Sequence, residues 1–281
     1  MMKKILCLLF ILSILCITMV SCSSYNERKC AKDLNKAIEA EDFDTVKRII
    51  SECPESINTY PTVAPSWWQG EMLMTRIYYP LSEACKSGNL EMVKLLVENG
   101  ADVNSHNPDD TEQTPIHVAL AFCKDDWYEI IMYLISKGAS IDYVDDDAFG
   151  KCAIFIDIIQ GIRNVSKEDE ENLDKLFTYA LENYEGTNAD WPRILCQAAY
   201  WGRLNITKML IESGTCDINT PFSGDSPLMY AIRSSDPKMV EYFLESGADI
   251  NAVNKDGKTV FDYVSECDNE EIKVLFIDQN N

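Results

Sequence analysis

Histidine is nearly missing from this chain: His106 and His117 are the two present among 281 residues. Neither stands beside a Ser or Cys nucleophile motif, so a Ser-His or Cys-His catalytic pair has no visible basis. There is no His-Glu-x-x-His and no Gly-rich phosphate loop, and none of the 11 cysteines is spaced Cys-x-x-Cys. Zinc hydrolysis, P-loop nucleotide chemistry and thiolate metal sites are therefore left without a motif, and no cofactor and no metal are assigned. Basic residues are also scarce, 25 Lys and Arg against 46 Asp and Glu, for a net charge of −21. Such a chain repels nucleic acid and anionic head groups and suits a basic protein partner. An enzyme on this sequence would have to build its site from carboxylates alone.

Long apolar runs are missing too, except at the start. Met1-Met2-Lys3-Lys4 precedes an apolar run from Ile5 to Val20. As a helix that run would be about 24 Å long, short of a hydrocarbon core of about 30 Å, so residues 1–21 read as a secretory signal peptide. The stretch Met19-Val20-Ser21-Cys22 resembles a bacterial lipoprotein box, with Met19 where Leu is usual. The resemblance implies that Cys22 is acylated and becomes the first mature residue, with 22–29 as a short tether. Buried acyl chains contribute about 0.8 kcal/mol per methylene, so such attachment to the bilayer is lasting. The expected location is the cell envelope, on the outer membrane or periplasmic face. Cleavage after Ser23 is the alternative and would release a soluble secreted protein.

A short phrase then recurs: Tyr79-Pro80-Leu81-Ser82-Glu83-Ala84, Thr114-Pro115-Ile116-His117-Val118-Ala119 and Ser226-Pro227-Leu228-Met229-Tyr230-Ala231. Each precedes an apolar helical stretch that closes on Gly-Ala-Asp/Ser-aliphatic-Asn/Asp, as in Gly100-Ala101-Asp102-Val103-Asn104 and Gly247-Ala248-Asp249-Ile250-Asn251. This resembles the ankyrin repeat, whose period is about 33 residues. Aligning every segment to the Pro of that pattern gives Asp33, Pro80, Pro115, Ala153, Ile194, Pro227 and Val260, at separations of 47, 35, 38, 41, 33 and 33. The resemblance implies an all-α ankyrin solenoid of about seven repeats over residues 30–281, with helix-turn-helix pairs joined by hairpins or loops.

The physics agrees. Val93, Leu96 and Val97, like Val240, Phe243 and Leu244, fall at i, i+3 and i+4 and mark one apolar helix face. A single helix pair cannot bury that face, whereas stacked neighbours can, at about 1.5–3 kcal/mol per large aliphatic. The fourth repeat departs from the phrase with Cys152-Ala153-Ile154-Phe155 and carries a polar insertion, Val165 to Glu171, expected as a turn before its second helix.

Most singled-out residues read as structure. His117 sits on the His of the family phrase, which implies a hydrogen-bonding role. Cys85 and Cys196 fall on first-helix core positions, where Cys acts as a small hydrophobe, and no disulfide framework is expected. Trp127, Tyr128 and Trp201 read as local packing.

Binding is expected on the concave face, which in this family is lined by hairpin tips and first helices. Asp142, Asp145, Asp146 and Asp147 share one lengthened hairpin, and Asp109, Asp110 and Glu112 the one before it. They lack EF-hand spacing and read as an acidic rim. Tyr143, Phe149 and Phe222 place aromatics where the family pattern has small or polar residues. The insertion 59–78 carries Trp67 and Trp68, either packed down or offered to a partner. The residues expected to touch a protein partner are Trp67, Trp68, Tyr143, Asp145, Asp146, Phe149 and Phe222, on a monomeric, non-enzymatic binding scaffold. The alternatives are an inhibitor or immunity-type protein that neutralises a secreted toxin or enzyme, and a carboxylate-based hydrolase.

Overall fold

Proline has no amide hydrogen to lose at the first turn of a helix, and its φ is already helical. Pro80, Pro115 and Pro227 each occupy that position. The computed structural model describes residues 26–61, 78–106, 114–123, 125–141, 153–160, 166–184 and 189–277. Two compact units divide the chain, Met1–Ser140 and Ile141–Asn281. The first holds α1 (26–39), α2 (Phe43–Glu52), a 3-10 turn (Pro54–Asn58), α3 (Pro80–Ser87), α4 (Leu90–Glu98), α5 (Pro115–Phe122) and α6 (Trp127–Ser136). The second holds α7 (Ala153–Gln160), α8 (Lys167–Asn183), α9 (Trp191–Tyr200), α10 (Leu204–Glu212), α11 (Pro227–Arg233), α12 (Pro237–Glu245), α13 (Val260–Glu266) and α14 (Glu270–Leu275). Among the described residues, β structure is confined to the backbone bridges Phe222–Asp225 and Val253–Thr259. Residues 26–29, read from sequence as tether, are helical in α1.

The two helices of a repeat are buried differently. In α3, α5 and α11 six consecutive residues are buried, Pro80–Cys85, Pro115–Leu120 and Pro227–Ile232. The reason is their place in the stack: α11 packs on α9, on α13 and on its own partner α12. A helix enclosed on several sides is apolar around most of its girth. The second helices bury a single stripe, and its spacing repeats: Met92, Val93, Leu96 in α4; Ile130, Ile131, Leu134 in α6; Ile206, Thr207, Leu210 in α10; Met239, Val240, Phe243 in α12. Val97 and Leu244, placed on that face by periodicity, are half-buried at its edge.

The closing Gly-Ala-Asp-x-Asn phrase joins one repeat to the next. Asn58 donates from Nδ2 to the Gly100 carbonyl and accepts the Asp102 amide at Oδ1, both at 2.8 Å. Asn104 does the same with Gly138 (3.2 Å) and Ser140 (2.8 Å), and Asn219 with Gly247 (3.4 Å) and Asp249 (2.8 Å). Within each phrase the Asp turns the chain by accepting the amide of its own Asn, at 2.9 Å in Asp102–Asn104, Asp217–Asn219 and Asp249–Asn251. One short side chain thus carries the register of each junction, at about 1 kcal/mol per bond.

The fourth repeat is built by other means. Phe155 takes the place that His117 has in the third and gathers Phe177 (5.3 Å), Trp191 (5.3 Å) and Tyr184 (5.4 Å) around its ring. Edge-on aromatic pairs add about 0.5–1.5 kcal/mol each beyond their burial. The polar insertion expected as a turn is instead the beginning of α8: Lys167 to Glu171 are helical. Ser166 and Asp169 form a reciprocal capping box, and Glu168, Asp169 and Glu170 set negative charge at the positive end of the helix dipole.

Candidate functional site

Six residues of the first helices in unit 2 fall in two columns when the repeats are set in phase. Gln197, Tyr230 and Tyr263 form one and Tyr200, Arg233 and Glu266 the other, each at steps of 33 residues. Because α11 packs between α9 and α13, residues in one column stand beside those of the neighbouring helix.

Arg233 is the centre of this face. Its guanidinium carbon lies 5.3 Å from the Tyr200 ring centroid and 5.5 Å from that of Tyr230. Both distances fit attraction between a cation and the electron-rich ring face. The guanidinium also stands 3.6 Å from Asp225 Oδ2, and its side chain remains 46% exposed. Asp225 in turn accepts from Asn254 Nδ2 at 2.8 Å, and the same amide nitrogen donates to the Tyr263 hydroxyl at 3.1 Å. Lys258 Nζ lies 5.8 Å from the Tyr263 ring and 2.7 Å from Glu266 Oε1. On the other side Tyr200 meets Trp201 edge-on at 5.7 Å. The Trp201 indole donates to Gln197 Oε1 at 3.3 Å, which also accepts from Gln160 at 3.0 Å.

Polar contacts therefore run across four successive first helices. Burial, with the neighbouring Asp225 carboxylate adding to it, pushes the Tyr230 and Tyr263 phenols above the usual tyrosine range, so both are neutral at physiological pH. The cluster presents neutral rings, one guanidinium fixed by stacking, and carboxylates already engaged with cations or amides. That is equipment for recognition by a large, preorganised surface.

Unit 1 carries a smaller counterpart in the same columns. Glu83 and Lys86 meet at 2.7 Å, with Lys86 Nζ 5.4 Å from the Tyr78 ring. Partial burial works against the Lys86 charge, and the Glu83 carboxylate more than offsets it, so the lysine's pKa is raised. Tyr78 also touches Phe122, which is 39% exposed.

Of the residues expected to bind from sequence, Phe222 lies on this face. It is half-buried in the turn that pairs with Asp225, its ring 6.4 Å from Tyr230. Cys22, Trp67, Trp68, Tyr143, Asp145, Asp146 and Phe149, with the acids of the 107–113 and 142–147 loops, lie outside the described residues. Tyr200, Tyr230, Tyr263 and Arg233 are absent from the residues expected from sequence, which lie in hairpins and in the 59–78 insertion. The signal for them was the pair of columns itself.

The remaining candidates fall where packing put them. His117 is buried, accepting or donating at Nδ1 with the Thr114 hydroxyl at 2.7 Å, and burial lowers its pKa to about 4. Cys85 and Cys196 are buried, and desolvation raises both thiols. Trp127 is buried against Tyr128, and Trp201 is half-buried. Among the described residues no group of three or more His, Cys, Asp or Glu is placed to hold a metal ion, and no helix is long and apolar enough to cross a membrane.

The family model described as ankyrin repeats (3 copies) matches residues 34–145, 81–169 and 165–254. Protein phosphatase 1 regulatory subunit 27 of Mus musculus is 52% identical over 67 residues, 24% of this chain and 40% of that protein. An ankyrin repeat protein of Fowlpox virus is 26% identical over 203 residues, 71% of this chain and 40% of its own length. The match thus spans less than half of each of these relatives. The crystal structure of the human ASB11 ankyrin repeat domain shares the fold, with a TM-score of 0.59 at 18% identity over 87% of this chain and 96% of that one.

Proposed function

This chain belongs to the ankyrin repeat family, and from that premise we propose that it is an exported, lipid-anchored scaffold that binds a protein partner through its first-helix face. The observation that carries the reading is the pair of columns in unit 2, where Arg233 is stacked on Tyr200 and Tyr230 while nearly half of its side chain stays exposed. Interfaces concentrate their energy in Tyr, Trp and Arg held rigid before binding. Phe222, Tyr200 and Trp201 border the same patch.

The net charge of −21 favours a partner with a basic surface by long-range attraction, which salt weakens beyond a screening length of about 8–10 Å. Asp145 and Asp146, and Trp67 and Trp68 of the 59–78 insertion, are further candidates for contact with a partner. Acylation of Cys22 would hold the chain on the envelope membrane; removal of residues 1–21 takes two lysines with it and leaves the mature chain more acidic.

The test is in-cell crosslinking and affinity capture from the native host, comparing wild type with Tyr200→Ala/Arg233→Ala and with Lys273→Ala on α14. A stoichiometric partner kept by Lys273→Ala and lost by the double variant supports this face. A partner retained by the double variant sinks it. Metabolic labelling with an alkyne fatty acid tests the anchor separately, since a Cys22→Ser chain should carry no label.

A further inference from the structure

Arg233 stands on the first-helix face with its charge fixed in place and its hydrogen bonds unmade. The Tyr200 ring of the preceding repeat and the Tyr230 ring one turn back on its own helix lie 5.3 and 5.5 Å from the guanidinium carbon. Stacking of this kind uses the flat faces of a guanidinium and leaves its N–H edge for other partners. Among the described residues the carboxylate oxygen in reach is Asp225 Oδ2, and at 3.6 Å the pair is beyond hydrogen-bond length. Asp225 is the more buried of the two and is directed elsewhere, its Oδ1 accepting from Asn254 Nδ2 at 2.8 Å.

The other cation of this face differs. Lys258 Nζ donates to both carboxylate oxygens of Glu266, at 2.7 and 3.0 Å. A chain with a large excess of acids therefore keeps one guanidinium open on its binding face. Beside it Tyr200 is exposed, and Phe222 flanks Tyr230 at 6.4 Å.

We propose that Arg233 is the receptor for an Asp or Glu side chain of the protein partner, taken as a two-pronged ion pair along the open edge of the guanidinium. This rests on the reading of the first-helix face as the binding surface and names the chemistry that the face reads. Planar recognition of a carboxylate by two parallel N–H bonds is what a preorganised arginine does best, and a lysine cannot reproduce it. The methylenes of the incoming acid lie against the exposed Tyr200 ring. Repulsion from Asp225 is outweighed, because two short charge-assisted bonds replace one long contact.

The site suits a side chain better than a phosphate or a chain terminus. Those groups are held by backbone amides as well as by arginine. Arg233 is the last residue of α11, where a helix presents carbonyls and the negative end of its dipole. The long-range preference for a basic partner does not conflict with one acid here. Charges beyond a screening length of about 8–10 Å steer the approach, whereas the pair forms at contact, where Arg233 is open.

Random peptides displayed on phage are selected on the immobilised full chain, and the selected peptides are titrated against it by fluorescence anisotropy. They should share one Asp or Glu at a fixed position in a sequence that is neutral or basic elsewhere. Changing that acid to its amide should weaken binding about tenfold or more. Arg233→Gln should weaken the acid peptide by as much, and on that variant the acid and amide peptides should bind alike. Lys273→Ala on α14 should bind as wild type does. In wild type the acid peptide should also protect Arg233 from modification by phenylglyoxal, a readout that depends on no variant. Peptides that lose affinity with Tyr200→Ala while no acid in them matters keep the face and overturn the carboxylate. Peptides indifferent to both Tyr200→Ala and Arg233→Gln, or a library that yields no binder, overturn both.

Discussion

Arg233 lays its guanidinium 5.3 Å from the ring of Tyr200, a residue 33 positions earlier on the preceding repeat. The contact crosses a repeat junction on the open side of the first helices, so it serves both the stack and the surface. Replacing Arg233 with Ala should reduce stability by about 1 kcal/mol or less, because the side chain is nearly half exposed and its ion pair with Asp225 is long. A double-mutant cycle with Tyr200→Leu, followed by urea unfolding, should yield a coupling of about 0.5–1 kcal/mol. A coupling of zero would mean the two groups do not interact in solution.

The Asn ladder predicts graded effects. Asn104→Ala removes the bonds to Gly138 and Ser140 and should cost about 1–2 kcal/mol. Asn104→Asp keeps the acceptor for the Ser140 amide and loses the donor to the Gly138 carbonyl, so it should fall between Ala and wild type. Urea midpoints of the three proteins rank them, and an Asp variant no better than Ala would show that the amide donor carries the junction.

Two glycines separate backbone strain from collision. Gly88 has φ +78°, and a Cβ there would stand 2.9 Å from the Asp125 carbonyl oxygen and 3.2 Å from Cys123 Sγ. Gly100, in the same unit, has φ +93° with open space around the added carbon. Gly100→Ala should cost about 1 kcal/mol for the left-handed conformation, and Gly88→Ala at least about twice that, because backbone at its neighbour must also move. Equal losses in thermal melts would contradict the close approach of Gly88 to Cys123 and Asp125.

His117 sets a pH dependence. Burial lowers its pKa from 6.5 to about 4, so the folded state holds a neutral ring where the unfolded chain would already be charged. Stability from this group is full above pH 6.5, declines as pH falls towards 4 and levels off below, since the unfolded state binds the proton first. His117→Gln does not titrate. The stability advantage of wild type over it should shrink by about 3 kcal/mol between pH 7.5 and pH 4, read from urea curves at each pH. A difference constant with pH would place the imidazole in contact with water.

Much of the fold was legible because its signals are local. Pro80, Pro115 and Pro227 announced helix starts, and Val93 with Leu96 or Val240 with Phe243 marked buried stripes. The misread segment, Val165 to Glu171, shows where such signals conflict. A run of Ser, Lys, Glu and Asp has the polarity of a loop, yet Ser166 three residues ahead of Asp169 is a helix cap, and the acids behind it suit the first turn.

By itself the amino-acid sequence determined the repeat period, the ends of most helices and the identity of the buried faces, since each depends on φ, capping and periodicity within about a dozen neighbouring residues. Tertiary structure decided which side chains meet across a junction. Arg233 reaches Tyr200, and Phe155 reaches Trp191, only once one repeat is stacked on the next at a fixed rotation. No local pattern encodes that rotation, because it is set by how all the buried side chains pack at once.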